Sequence, residues 1–185
     1  MRQFLIVTVA AVGIAAGVIG CDNRTKETAS AAKTETAQAA DVLPAALIAT
    51  TRPSATPQDV VAAKKSAKDG QQVVVRGRIG AQKDPLAANR AIMTIADTSL
   101  PTCDKTPMDQ CPTPWDSCCQ PQEDLTARSA TVQVVGGDGR PLKASLKGAG
   151  GMKPGSEVVV AGTAKVPPGG GDNLIIEASQ IYVTQ

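Results

Sequence analysis

The sequence predicts an all-β fold with a small α contribution: a small antiparallel barrel or sandwich preceded by one helix. Three observations lead there. Apolar residues recur with a period of two in short runs between Gln72 and Val183. Gly- and Pro-rich punctuation separates those runs. Helical spacing occurs clearly in a single stretch upstream of them, and several short strands with one helix pack as a closed or two-layered β unit.

The helix is expected from Thr56. Thr56 can cap it, Pro57 suits its first position, and Asp59 sits third, as in a capping box. Val60, Ala63 and Ala67 fall on one face, and Gly70 is a natural stop. From Gln72 the period changes. Val73, Val75, Gly77 and Ile79 alternate with Val74, Arg76 and Arg78, the mark of a half-buried strand. Ala91 to Asp97 is the second strand, built on Ile92, Met93 and Ile95. Ala130 to Val135 is the third, and Gly136 to Gly139 a tight turn leading to Leu142 and Leu146. Glu157 to Lys165 and Leu174 to Val183 complete the set, joined by a Gly-rich loop from Pro167 to Asp172.

The run Val73-Val74-Val75-Arg76-Gly77-Arg78-Ile79, then Ile95-Ala96-Asp97, resembles the opening of bacterial OB-fold domains. Gly155 to Thr163 resembles the fourth strand of that barrel. The resemblance spans 70–184 and implies a five-stranded OB-like antiparallel barrel within a domain over 57–185. Gly77 and Gly162 are then expected where strands bend to close it.

The first twenty residues have the parts of an export signal: Arg2, an apolar core from Phe4 to Val18, and Val18-Ile19-Gly20 before Cys21. The core is shorter than the roughly 18 residues a spanning helix needs. Val18-Ile19-Gly20-Cys21 resembles the bacterial lipobox. That resemblance implies cleavage after Gly20, lipidation of Cys21 with diacylglycerol and often a further acyl chain such as palmitate, and a chain anchored to the cell membrane or the outer membrane, facing the periplasm. Asp22 bears on which membrane only under sorting rules that differ among bacteria. Residues 21–56 read as a tether: Asp22 to Ala40 lacks any large apolar residue, while the more apolar Val42 to Ile48 is expected to dock loosely at most, its pattern broken by Pro44, Pro53 and Pro57.

Composition narrows the function classes. The formal charge is +2, and removing 1–20, whose only charge is Arg2, leaves +1. Near-neutrality argues against nucleic acid, as does the aromatic content, which after cleavage is Trp115 and Tyr182 alone. The chain has no histidine, which removes the usual general base and the commonest metal ligand. Neither Gly148–Gly151 nor Gly169–Gly171 carries a phosphate-loop pattern. No nucleophile–base pair is evident, so a non-enzymatic protein is expected.

Between the second and third strands lies an insert, 101–121, with cysteines spaced C-x7-C-x6-C-C at Cys103, Cys111, Cys118 and Cys119. Cys21 accounts for the odd cysteine of five, and an even number in an exported domain reads first as two disulfides. Bridging adjacent Cys118 and Cys119 would strain the ring. That leaves Cys103–Cys118 with Cys111–Cys119, or Cys103–Cys119 with Cys111–Cys118, each bridge adding about 3 kcal/mol. The alternative is a metal site, zinc or copper on four thiolates, although zinc sites usually pair cysteines more closely. Thiol redox chemistry is weaker still, with no C-x-x-C motif and no basic residue flanking Cys118 or Cys119. Trp115 either caps the cysteine cluster or anchors a protein partner in the cell envelope. Asp104, Asp109 and Asp116 are turn formers that offer a weaker cation site. The segment Cys111-Pro-Thr-Pro-Trp-Asp-Ser-Cys-Cys119 resembles one found in uncharacterised bacterial lipoproteins with this barrel pattern, a kinship that carries no activity with it.

Taken together, the expected protein is a membrane-anchored, extracytoplasmic binding or interaction module. The metal or thiol-redox reading of the insert is second, and nucleic-acid binding by fold analogy a distant third.

Overall fold

The computed structural model describes residues 42–105, 111–168 and 173–184. The export signal, Cys21 and the tether to Ala40 lie outside the described residues, as do Asp109 and the glycines at 169–171. The described chain belongs to one compact unit, Ala37–Gln185. Among the described residues no helix is long and apolar enough to cross a membrane.

Six strands form a single sheet: β1 (Gln58–Asp59), β2 (Gln72–Ile79), β3 (Ile92–Ala96), β4 (Ser129–Gln133), β5 (Glu157–Lys165) and β6 (Ile175–Val183). Their order is β1-β2-β3-β4-β6-β5, and β5 pairs back onto β2. That return closes β2 to β6 into a five-stranded OB-like barrel. The alternation expected for β2 is what burial shows: Val73, Val75, Gly77 and Ile79 face inward, and Arg76 is exposed. Closure is not wholly antiparallel, because β4 and β6 run parallel, with Thr131 opposite Ile175 and Val132 opposite Ile176. A parallel pair needs a crossover, and the excursion through β5 supplies it.

Closing so small a barrel brings backbones together. The register of β5 on β6 shifts between Ala161 and Gly162. A Cβ on Gly162 would strike the Glu177 carbonyl and come within 2.9 Å of the Ala178 Cα. On Gly77 it would meet the Ala96 carbonyl oxygen at 2.8 Å. Both glycines are needed because a neighbouring strand occupies the place of a side chain.

The helix begins later than its sequence signals suggest. α1 spans Val60–Ser66, and Asp59 takes the N-cap position. Thr56 and Pro57 stand outside because Gln58 and Asp59 pair in parallel with Val75 and Arg76, filling a stretch of the β2 edge that β3 leaves open. The expected face survives: Val60 and Ala63 are buried in the core, with Ala67 packed against it. Gly70, with φ +76°, turns the chain into β2 rather than ending the helix.

Three further features depart from the expectations. The chain packs from well before Thr56: Leu47 is 1% exposed in the core, and Ile48 bridges Ile181 while the Ala49 amide donates to the Ile181 carbonyl. Pro44 starts a short 3-10 turn that aims Leu47 inward, so the distal part of the 21–56 tether belongs to the barrel. A second helix, α2 (Gln122–Ala127), precedes β4. Leu142, Leu146 and Met152, in the long β4–β5 connection, are buried in the same core as the strands.

Candidate functional site

Two features of the described surface are built for chemistry: a cleft on one side of the barrel and the cysteine insert beside it.

The cleft has a volume of about 420 Å³. Its floor is Thr94 of β3 with Ala130 and Thr131 of β4, and its walls are α2 and the loops after β2 and β5. Gln82, Gln122, Asn173, Thr126 and Ser129 contribute amides and hydroxyls, and Leu125 and Leu174 an apolar share. No described residue lining it is charged or aromatic. The α2 wall is pinned in place. The Lys64 ammonium, reaching over from α1, donates to the Thr126 carbonyl and to the Ser129 carbonyl at 2.8 Å. The Ser129 hydroxyl donates to the Leu125 carbonyl at 2.6 Å. A lysine beside the last carbonyls of a short helix also complements its dipole. Sequence reasoning missed this cleft because it missed α2, whose single large apolar residue, Leu125, gives no periodic signal. Pro121 with Glu123 and Asp124 behind it was the available clue.

In the insert, Cys103 opens a 3-10 turn after β3 and is buried. Its amide donates to the Asp116 carbonyl at 2.8 Å, and the Asp116 amide to the Thr113 carbonyl at 2.9 Å. These bonds fold the segment back so that its sulfurs converge. Cys103 Sγ is 3.5 Å from Cys118 Sγ, Cys111 Sγ is 3.8 Å from Cys118 Sγ, and Cys119 Sγ is 4.0 Å from Cys118 Sγ. A disulfide holds its sulfurs at about 2.05 Å. Each of the two expected connectivities needs Cys118 bonded to Cys103 or Cys111, and in this structure both pairs stand at non-bonded contact.

The thiols are not equivalent. The Thr113 hydroxyl, 3.2 Å from the Cys111 sulfur, and the Thr113 amide hold the Cys111 pKa below the ordinary thiol value, with smaller help from Cys103 and Cys118. Cys118 lies above its ordinary value. Its contact with Cys103 favours the thiolate, but donation to Cys111, burial, Cys119 and the Asp116 charge together outweigh it. Of these two, Cys111 loses its proton before Cys118, and the Thr113 hydrogen bonds are the main cause.

Trp115 docks the insert on the barrel. Its indole N–H donates to the Lys83 carbonyl at 3.0 Å, and its backbone carbonyl lies where a Cβ on Gly80 would be, at 2.6 Å. The ring is half-buried. Asp116 is buried and spends its carboxylate on the Ser117 amide at 2.7 Å. Asp104 lies in the 3-10 turn, and Asp109 lies outside the described residues. The group that does converge there is Cys103, Cys111 and Cys118, whose sulfurs all lie within 4.8 Å of one another.

Fold and site together define a small OB-like β-barrel carrying a cysteine-rich insert. Among solved structures, that of the hypothetical protein ygiW from E. coli is similar at 16% identity, with a TM-score of 0.36, over 71% of this chain and 94% of that one. No protein-family model and no curated protein matches the chain.

Proposed function

We propose that the mature chain is a lipid-anchored, extracytoplasmic, non-enzymatic binding module that takes an uncharged, hydrogen-bonding ligand in the cleft over β3, β4 and α2. The lining of that cleft carries the reading. Amides and hydroxyls around a partly apolar floor suit a neutral polar segment, whereas phosphates would need cations and stacked bases would need aromatic rings. OB barrels in general use this face and the loops beside it for ligands, an analogy of fold and not of chemistry. Cys21 supplies the anchor, and the residues between it and Leu43 supply reach.

The test uses the full-length lipoprotein expressed in a bacterium and cross-linked in its own envelope. Thr131→Arg fills the cleft with a charge, while Gln180→Arg adds the same charge at an exposed position outside it. The expected result is a cross-linked species present with the unaltered chain and Gln180→Arg and absent with Thr131→Arg. Identical species from all three would defeat the cleft reading. Cys21→Ser is expected to move the protein from the membrane fraction to the soluble one, and retention in the membrane would defeat the anchor.

A further inference from the structure

We propose that Cys103, Cys111 and Cys118 form a trigonal thiolate site for one soft monovalent cation, Cu(I), independent of the cleft. Three observations carry it. The three sulfurs lie within 4.8 Å of one another, with pairs at 3.5 and 3.8 Å. A metal with three trigonal bonds of about 2.3 Å to sulfur spaces its ligands at about 4.0 Å, so one ion can bond all three with each sulfur pair moving by less than about 1 Å. That spacing is already set by the backbone. The Cys103 amide bonds across to the Asp116 carbonyl, and Trp115 fixes the far arm to the Lys83 carbonyl. The ligand set is preorganised rather than gathered by the metal.

The donor chemistry selects the ion. All three donors are sulfur, and the chain has no histidine to harden the site. Structural zinc takes four ligands, and Cys119, 4.0 Å from Cys118, stands outside the convergent group. Three thiolates suffice for Cu(I). Each sulfur releases its proton as its bond to the metal forms, copper stays in the same oxidation state, and no electron is transferred. Burial grades the route: Cys103 is buried, Cys111 intermediate and Cys118 exposed. An ion arrives at and leaves from the Cys118 side, which suits a site that exchanges copper with other thiol carriers.

The experiment adds Cu(I), held as its bicinchoninate complex under anaerobic conditions, to the full mature chain kept reduced with a phosphine. One copper per chain is expected to leave the chelator. Cys118→Ser is the informative variant, because that side chain is exposed and its loss spares the core. Affinity should fall by more than about a hundredfold, beyond what losing a residue that merely supports a ligand costs. Cys119→Ser should lower it by less than about tenfold. Equal losses from the two variants would overturn the three-sulfur site in favour of a four-sulfur, zinc-like one. Failure to withdraw copper would overturn it outright. So would a chain that leaves its native envelope with no titratable thiol, since the sulfurs would then be committed to disulfides. The Thr131→Arg variant should bind copper as the unaltered chain does, which separates this proposal from the cleft.

Discussion

Asp97 shows how much one side chain at the end of β3 holds together. Its carboxylate is buried and accepts the Val61 amide at 3.0 Å, the Ser99 amide at 3.0 Å and the Ser99 hydroxyl at 2.6 Å. The Val61 bond satisfies an amide in the first turn of α1, the work of a cap done by a residue from a distant strand. Burial pushes the Asp97 pKa up, but those hydrogen bonds and the Arg128 charge outweigh it, and the net shift is downward. A carboxyl whose folded pKa is depressed stabilises the fold above its unfolded pKa of about 3.9 and loses that contribution as pH falls through the folded value. Asp97→Ala should therefore cost about 2 kcal/mol in urea unfolding at neutral pH. The penalty should shrink below about pH 4, and one that stayed constant on acidification would show that the charge is irrelevant. Nothing in the local sequence announces this role, because Asp97 meets α1 only through the fold. Trp115 is the converse case. A single tryptophan in a loop reads as a cap on the cysteines or a partner anchor; its N–H donates to the Lys83 carbonyl, and both that carbonyl and Gly80 are invisible as partners in sequence.

Elements were legible in proportion to their periodicity. β2 alternates in burial along its eight residues, β5 is a nine-residue run of mostly apolar and small side chains, and the bounds of both follow the sequence pattern closely. α2, with six residues and none fully buried, has no such pattern to read. The segment before Thr56 was obscured for another reason. Prolines and threonines around Val42 to Ile48 suggest a linker, and only the groove beside β6 gives Leu47 somewhere to go. Leu47 is as buried as the strand residues it touches, so this segment is a structural element and not a spacer. Leu47→Ala should cost about 2–5 kcal/mol, the range for deleting a core leucine. A chain starting at residue 51 should show a comparable loss, while one starting at residue 42 should melt as the full mature protein does. Equal melting temperatures for all of these would return the segment to the tether.

At the scale of the whole molecule, the sequence names the strands but not their neighbours. Period two specifies which face is buried, not which edge meets which, so closure is expected only through the OB-fold resemblance, and the parallel β4–β6 pair is not expected at all. The same limit applies to the insert: the cysteine spacing leaves Cys103 to meet either Cys118 or Cys119, and the fold sets Cys103 beside Cys118. The closure also ranks stability across the chain. β5 is bonded along one edge to β2, from Glu157 to Thr163, and along the other to β6, from Val158 to Lys165. Its inward residues Val158, Val160 and Ala164 belong to the main core. The cysteine sulfurs belong to neither apolar cluster, and the small satellite cluster of Ala81, Ala96, Leu100 and Leu125 is built from residues outside the insert. Opening β5 therefore requires opening the barrel, whereas the insert can open alone, and amide exchange reads that difference directly. The amides of Val159, Ala161 and Thr163 should exchange only through global unfolding and track its free energy. Those of Cys111, Thr113 and Cys119 should exchange far faster. Replacing all four insert cysteines with serine should leave the slow set within about 1 kcal/mol of its starting protection, as expected for a satellite that does not share the core. A fall of the β5 amides by several kcal/mol in that variant would mean that the insert is part of the barrel's cooperative unit, and the two-tier description would fail.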